Sequence, residues 1–307
     1  MADLKVKLGP LSLKNPVMTA SGTFGYGSEY EDFYPIRKLG AVVVKGIAPW
    51  PSNGNAAPRV AEVTAGILNA IGLQGPGVKA FLEDEHYLPH LKKTGATVIV
   101  NIWGKTPDDY AFVAERLEAE KKAIAAIEIN VSCPNVKEGG LAFGTDPKTL
   151  ATVVSRVRKA TTIPLITKLS PNVPAIVPLA KAAQDAGSDI LSLINTIPAM
   201  AIDVETRRPK LANVTGGMSG PAVKPVAIKL VYETAKAVSI PVIGMGGIMN
   251  GLDAIEFLLA GASAVAVGTA TFADPRAPLK VIDGINDYLD SHGIKSVRDI
   301  IGQVRID

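Results

Sequence analysis

Short runs of Val, Ile, Leu and Ala recur along the chain. After each comes a longer stretch whose apolar positions return every three or four residues. The first pattern predicts a buried strand and the second an amphipathic helix. Strands are expected at 16–20, 41–45, 97–102, 125–131, 164–169, 189–194, 241–245 and 264–268. Helices are expected at 30–39, 78–92, 107–122, 147–160, 175–186, 223–238, 252–260 and 278–288. In the third helix Asp108 and Asp109 fall in the first turn, where the positive end of the helix dipole favours carboxylates. A long Gly, Pro and Asn-rich connection separates the second strand from its helix, and a loop of about twenty-five residues follows the sixth strand.

Eight strand–helix units in strict alternation predict a parallel sheet, because parallel neighbours need crossover helices. The strands are nearly continuous in Val, Ile and Leu, as expected where both faces are covered. Eight units close a (β/α)8 TIM barrel, whereas a doubly wound open sheet more often stops near six strands. Residues 3–14 alternate around Gly9-Pro10, which predicts an N-terminal β-hairpin across the bottom of the barrel. Neither a linker nor a repeat beyond the βα unit is visible, so residues 1–307 are read as one α/β domain.

Composition narrows the function classes. Hydrophobic residues make up 47% and charged residues 20%, which excludes a disordered chain. A net charge of +3 over 307 residues leaves little footprint for nucleic acid. No apolar run has membrane-spanning length, and the first residues do not form a signal peptide. Cys133 is the single cysteine, so internal disulfides and Cys-built zinc sites are excluded and a reducing, cytoplasmic setting is expected. With only three histidines, no metal centre is expected.

In a TIM barrel the active site lies at the C-terminal ends of the strands. Ser21 follows the first strand there, Lys45-Gly46 ends the second, and Asn101 ends the third. The fourth ends in Asn130 with Cys133 just beyond, the fifth carries Lys168, and the sixth ends in Ile194-Asn195-Thr196. Gly246-Gly247 and Gly268-Thr269 follow the seventh and eighth, the usual phosphate position of this fold. Glycines there let backbone N–H groups approach phosphate oxygens closely. Neither the spaced dinucleotide fingerprint nor a Walker A sequence is present, so a mononucleotide cofactor fits better.

Lysines after apolar strands, facing the barrel mouth, need an anionic partner, and in a flavin site a cation stabilises the reduced ring. Schiff-base chemistry is the competing reading of Lys45 and Lys168. Asn69, Asn130 and Asn195 offer donors and acceptors without charge and suit a planar ligand with alternating carbonyl and N–H groups. Asn69 in its long connection also fits an ordinary turn former. A lone cysteine is more often a small buried hydrophobe, but Cys133 opens a glycine-rich loop at the active rim and is placed to accept a proton.

At Asn130-Val-Ser-Cys-Pro-Asn-Val-Lys-Glu-Gly-Gly-Leu-Ala-Phe-Gly-Thr-Asp146 the sequence strongly resembles the dihydroorotate dehydrogenase family, specifically the catalytic subunits of its NAD-dependent class (class 1B). Ala20-Ser21-Gly22, Val44-Lys45-Gly46, Asn69-Ala-Ile-Gly-Leu73, Ile166-Thr-Lys168, Asn195-Thr196, Gly217-Met-Ser-Gly220, Gly246-Gly247 and Gly268-Thr269 match in order over essentially the whole chain.

The resemblance implies an FMN-containing barrel that oxidises (S)-dihydroorotate to orotate in pyrimidine (UMP) biosynthesis. It implies that Cys133 is the base at C5 while a hydride leaves C6 for flavin N5. Lys45, Asn69, Ala70, Ile71, Gly72, Leu73, Asn130, Asn195 and Thr196 would bind the substrate. Ser21, Lys45, Gly46, Asn101, Asn130, Lys168, Ile194, Gly220, Gly246, Gly247, Gly268 and Thr269 would bind FMN.

The class also implies a partner. One cysteine cannot hold a [2Fe–2S] cluster, which needs four ligands. FAD and [2Fe–2S] are therefore expected on an iron–sulfur flavoprotein subunit, with a homodimer of this chain inside a heterotetramer. The fumarate-using class 1A shares the cysteine and is the nearest alternative. An FMN tRNA-dihydrouridine synthase would need a basic face and an RNA-binding appendage. A non-flavin aldolase-type barrel would leave Cys133 idle, and a phosphate-ligand binding barrel without catalysis is the plainest option.

Overall fold

The computed structural model describes residues 2–131 and 140–306. Eight parallel strands form its centre: β1 (Val17–Thr19), β2 (Val42–Val43), β3 (Val98–Ile102), β4 (Ala126–Asn130), β5 (Leu165–Lys168), β6 (Ile190–Leu193), β7 (Val242–Met245) and β8 (Ala264–Val267). Hydrogen bonding runs in chain order from β2 to β8 and from β8 to β1. A parallel bridge between Met18 and Ala41, with Val43 N donating to Thr19 Oγ1 at 2.9 Å, joins β1 to β2 and closes the barrel. The strands are buried along their whole length, as a sheet covered on both faces requires.

Around them lie α1 (Gly77–Glu83), α2 (Leu88–Thr94), α3 (Pro107–Glu118), α4 (Gly140–Thr145), α5 (Pro147–Ala160), α6 (Val177–Asp185), α7 (Lys224–Ala237), α8 (Gly251–Leu259), α9 (Ala270–Ala273) and α10 (Ala277–Ser291). Helix α3 shows why a segment starts where it does. Thr106 Oγ1 accepts from Asp109 N, the Asp109 carboxylate accepts from Thr106 N at 2.8 Å, and Pro107 occupies a first-turn position that needs no N–H. Its buried residues Tyr110, Val113, Ala114 and Leu117 keep helical spacing and face the barrel. None of the helices among the described residues is long and apolar enough to cross a membrane.

The expected hairpin is present as Val6–Leu8 paired with Leu11–Leu13. A Cβ on Gly9 at its tip would lie 3.2 Å from the carbonyl oxygen of Asp189, just before β6, which places the hairpin at the N-terminal end of the barrel.

Three expectations are corrected. The helix expected at 30–39 is two separate 3-10 turns, Ser28–Tyr30 and Ile36–Lys38, because Pro35 lacks an N–H and disfavours helical backbone at Tyr34. The helix expected at 78–92 breaks after Glu83 and restarts at Leu88, where Pro89 fits only a first turn. The long connections after β2 and β6 are not loops throughout. Val60–Val63, Gly66–Asn69, Gly216–Ser219 and Ile197–Ala199 pair antiparallel into a four-stranded sheet, with a small apolar core of Leu68, Ala70 and Leu211.

Candidate functional site

The four-stranded sheet roofs the C-terminal end of the barrel over a partly open cavity of about 390 Å³. Of the residues singled out from sequence, Ser21, Lys45, Gly46, Asn69, Ile71, Gly72, Leu73, Asn130, Lys168, Ile194, Asn195, Thr196, Gly246, Gly247, Gly268 and Thr269 line it. Ala70, Asn101 and Gly220 stand just off the wall. Ala70 belongs to the roof's own core, Asn101 is buried behind Gly46, and Gly220 is packed against Gly66 and Gly247. Cys133 lies outside the described residues.

Each side chain is carried to the cavity by the strand it ends. Asn130 and Lys168 are register partners on β4 and β5 and are only 6% and 5% exposed. A lysine buried to that degree needs compensation for lost hydration, and no ion pair forms to it among the described residues, so its charge is available to the cavity. Asn195 Nδ2 donates to Asn130 Oδ1 at 3.4 Å, and Asn195 Oδ1 accepts from Thr196 N at 2.8 Å. The Thr196 carbonyl is held by Asn172 Nδ2 at 3.0 Å, and the Asn130 carbonyl by Tyr110 OH at 2.9 Å. From the roof, Asn69 Nδ2 donates to the Gly217 carbonyl at 3.3 Å, which resolves Asn69 as a strand residue rather than a turn former.

The glycine end of the cavity is tight. Gly247 has φ +79°, and a Cβ there would lie 2.7 Å from Lys224 Cβ and 2.9 Å from Gly220 O. Gly246 has φ +123°, and a Cβ there would lie 3.1 Å from Ala227 Cβ. Backbone amides at such positions are open to close approach by a ligand. Lys224 itself is engaged elsewhere, pairing with Asp253 at 2.6 Å and Glu256 at 2.5 Å. Burial alone would lower its pKa, but these two carboxylates raise it on balance, so it stays a cation that clamps the turn into α8. Thr269 Oγ1 donates to Ser219 Oγ at 2.8 Å, tying the end of β8 to the roof.

Reading strand ends alone passes over several wall residues. Thr23, Met218, Ser219, Met249 and Phe272 also line the cavity. Ser219 could have been found inside Gly217-Met-Ser-Gly220, whereas nothing in the pattern marks Phe272. Glu128, inside an otherwise apolar strand, was visible as an anomaly two positions before Asn130.

A family model described as dihydroorotate dehydrogenase matches residues 3–289. A protein of Bacteroides fragilis (strain YCH46) named "Dihydroorotate dehydrogenase B (NAD(+)), catalytic subunit" is 55% identical over 306 residues, covering 100% of both chains. One of the same name from Citrifermentans bemidjiense is 53% identical over 304 residues, covering 99% of each. Among solved structures, DHODH from Eimeria tenella in complex with ferulenol superposes with a TM-score of 0.81 at 26% identity, covering 98% of this chain and 88% of that one.

Proposed function

Because the chain belongs to the dihydroorotate dehydrogenase family, we propose that it oxidises (S)-dihydroorotate to orotate in pyrimidine biosynthesis, with FMN on this chain and NAD as the final acceptor. The observation that carries the reading is the convergence of two lysines, an asparagine set and two glycine turns on one roofed cavity at the active rim. Residues 1–307 are taken as one FMN-binding barrel domain.

The residues present fit FMN. Gly246, Gly247 and Gly268 line the cavity after the seventh and eighth strands, the usual phosphate position of this fold, where glycine backbone can come close to a phosphate. Lys168 offers a buried cation, and Asn101 Oδ1 is a buried acceptor with no partner among the described residues. Ser21, Lys45, Gly46, Asn101, Asn130, Lys168, Ile194, Gly220, Gly246, Gly247, Gly268 and Thr269 would hold the cofactor. When bound, FMN supplies at N5 the acceptor for the hydrogen and electron pair that leave substrate C6.

The chain's own residues do the rest. Asn69, Asn130, Asn195 and Thr196 present donors and acceptors to the pyrimidine ring, and Ile71, Gly72 and Leu73 line the cavity beside them. Lys45, between the two binding regions, favours negative charge on either ligand. Cys133, outside the described residues, takes the C5 proton as the C5=C6 double bond forms. The roof covers part of the cavity that holds these groups.

The relatives are named catalytic subunits. The partner we propose is an iron–sulfur flavoprotein with FAD and a [2Fe–2S] cluster, joined to a dimer of this chain as a heterotetramer. A cytoplasmic location suits the single thiol.

The test is anaerobic mixing of the purified, FMN-loaded chain with (S)-dihydroorotate while the visible flavin absorbance is followed. Bleaching is expected in a single turnover. A flavin that stays oxidised would move the substrate elsewhere.

A further inference from the structure

Glu128 sits in the middle of barrel strand β4 and is 1% exposed. Nothing in dihydroorotate oxidation as set out above uses it. A carboxylate taken out of water is costly unless its oxygens are hydrogen-bonded. Both are bonded here: Oε1 accepts from Asn101 Nδ2 at 2.6 Å, and Oε2 accepts from Ser192 Oγ at 3.1 Å. The carboxylate therefore braces β3 and β6 from the strand directly beneath Asn130.

The bond to Asn101 has a consequence for the cavity. A side-chain amide has a donor end and an acceptor end. Opposite a carboxylate the NH2 end is favoured, so Asn101 turns its carbonyl oxygen the other way. That oxygen is buried, has no hydrogen-bond partner among the described residues, and lies 2.9 Å from the point a Cβ on Gly46 would occupy. Gly46 is part of the cavity wall.

We propose that Glu128 is a positioning residue that decides which end of Asn101 faces the flavin site. The wall at Gly46 is thereby made an acceptor, suited to a ring edge that carries an N–H. A ring edge with only acceptors there would leave Asn101 Oδ1 unpaired, at the cost of a buried polar group. This inference rests on the FMN reading.

The experiment titrates FMN onto the deflavinated full-length chain and its variants, following flavin fluorescence, with circular dichroism as the check on folding. Glu128→Gln can donate to Asn101 and lets its amide turn round, so FMN should bind about tenfold more weakly. Asn101→Asp alone sets two carboxylates face to face and should weaken binding by at least about tenfold. In the double variant, Glu128→Gln with Asn101→Asp, the new amide at 128 donates to the new carboxylate at 101, whose other oxygen again faces Gly46.

Binding in the double variant should return to within about threefold of wild type, the non-additivity expected of two residues in contact. Single variants that lose affinity with unchanged circular dichroism place the loss at the flavin site rather than in the fold. Should a single variant fail to fold, the double variant decides alone. A double variant that is unfolded, or that binds no better than the worse single variant, overturns the proposal. A wild-type chain that takes up no FMN brings down the flavin reading and this inference with it. Normal wild-type uptake with additive losses brings down this inference alone.

Discussion

At the scale of the residue, two kinds of position separate cleanly. Gly247 is required by both conformation and space, since its φ is +79° and a Cβ would strike Lys224 and Gly220. Gly247→Ala should lose FMN affinity by at least about tenfold and stability by more than the 1–2 kcal/mol that left-handed backbone alone costs. Gly293 has φ +66° with nothing within 4 Å, so Gly293→Ala should show the backbone cost and leave flavin content unchanged. Urea midpoints and flavin-to-protein absorbance ratios on both variants check the pair. Cys133→Ala should keep FMN but lose most of its reduction by dihydroorotate, and unimpaired single-turnover reduction would remove Cys133 from the mechanism. Cys133→Ser should be slow at neutral pH and speed up as pH rises, since a hydroxyl is the poorer base. Lysines, asparagines and glycines at strand ends were legible because barrel packing has no use for them there. Asn101 was legible as a polar strand end, but its place behind Gly46 was not, because depth behind a neighbouring strand leaves no mark on periodicity.

At the scale of the element, the eight strands and most helices follow from the alternation of apolar runs and helical spacing. The failures all lie where proline or a short antiparallel strand competes. Segments of two to four residues, such as Val60–Val63 and Gly216–Ser219, carry too few positions to display a period of two. Tertiary contacts between helices are also invisible in the pattern, and Glu118 is one. At the end of α3 it accepts from Thr161 Oγ1 at 2.6 Å, Thr162 N at 2.9 Å and Lys121 Nζ at 2.9 Å, clipping α3 to the end of α5. Burial pushes its carboxyl up, but the bonds from Thr161, Lys121 and Thr162 outweigh that and bring the pKa down to about 2. A folded-state pKa below the ordinary 4.5 means stability that is complete above that pH and is lost as pH falls toward 2. Glu118→Gln should therefore be less stable than wild type at pH 7, with the gap shrinking between about pH 4.5 and 2 in paired denaturation curves. A gap that does not change over this window would contradict the assignment.

At the scale of the whole molecule, two apolar cores of unequal size divide the labour. The large one fills and surrounds the barrel, and the small one of Leu68, Ala70 and Leu211 serves only the roof. Leu211→Ala should accelerate amide exchange in the roof strands while β3 to β8 keep their protection. Flavin content and kcat should hold while KM for dihydroorotate rises several-fold. Equal loosening of barrel and roof would show that the two cores are not separate. The barrel was legible from eight repeats, and the roof was not, because its strands come from segments far apart in sequence. Gly66–Asn69 follows β2 and Gly216–Ser219 follows β6, on opposite sides of the ring, yet they pair residue for residue from Asn69 opposite Gly217 to Ile67 opposite Ser219. This pairing makes the two connections heritable only as a set. A chimaera that takes one of them from a distant relative and keeps the other would join mismatched halves of an arch. Substitutions on one bank should then be tolerated or rejected according to what stands on the other.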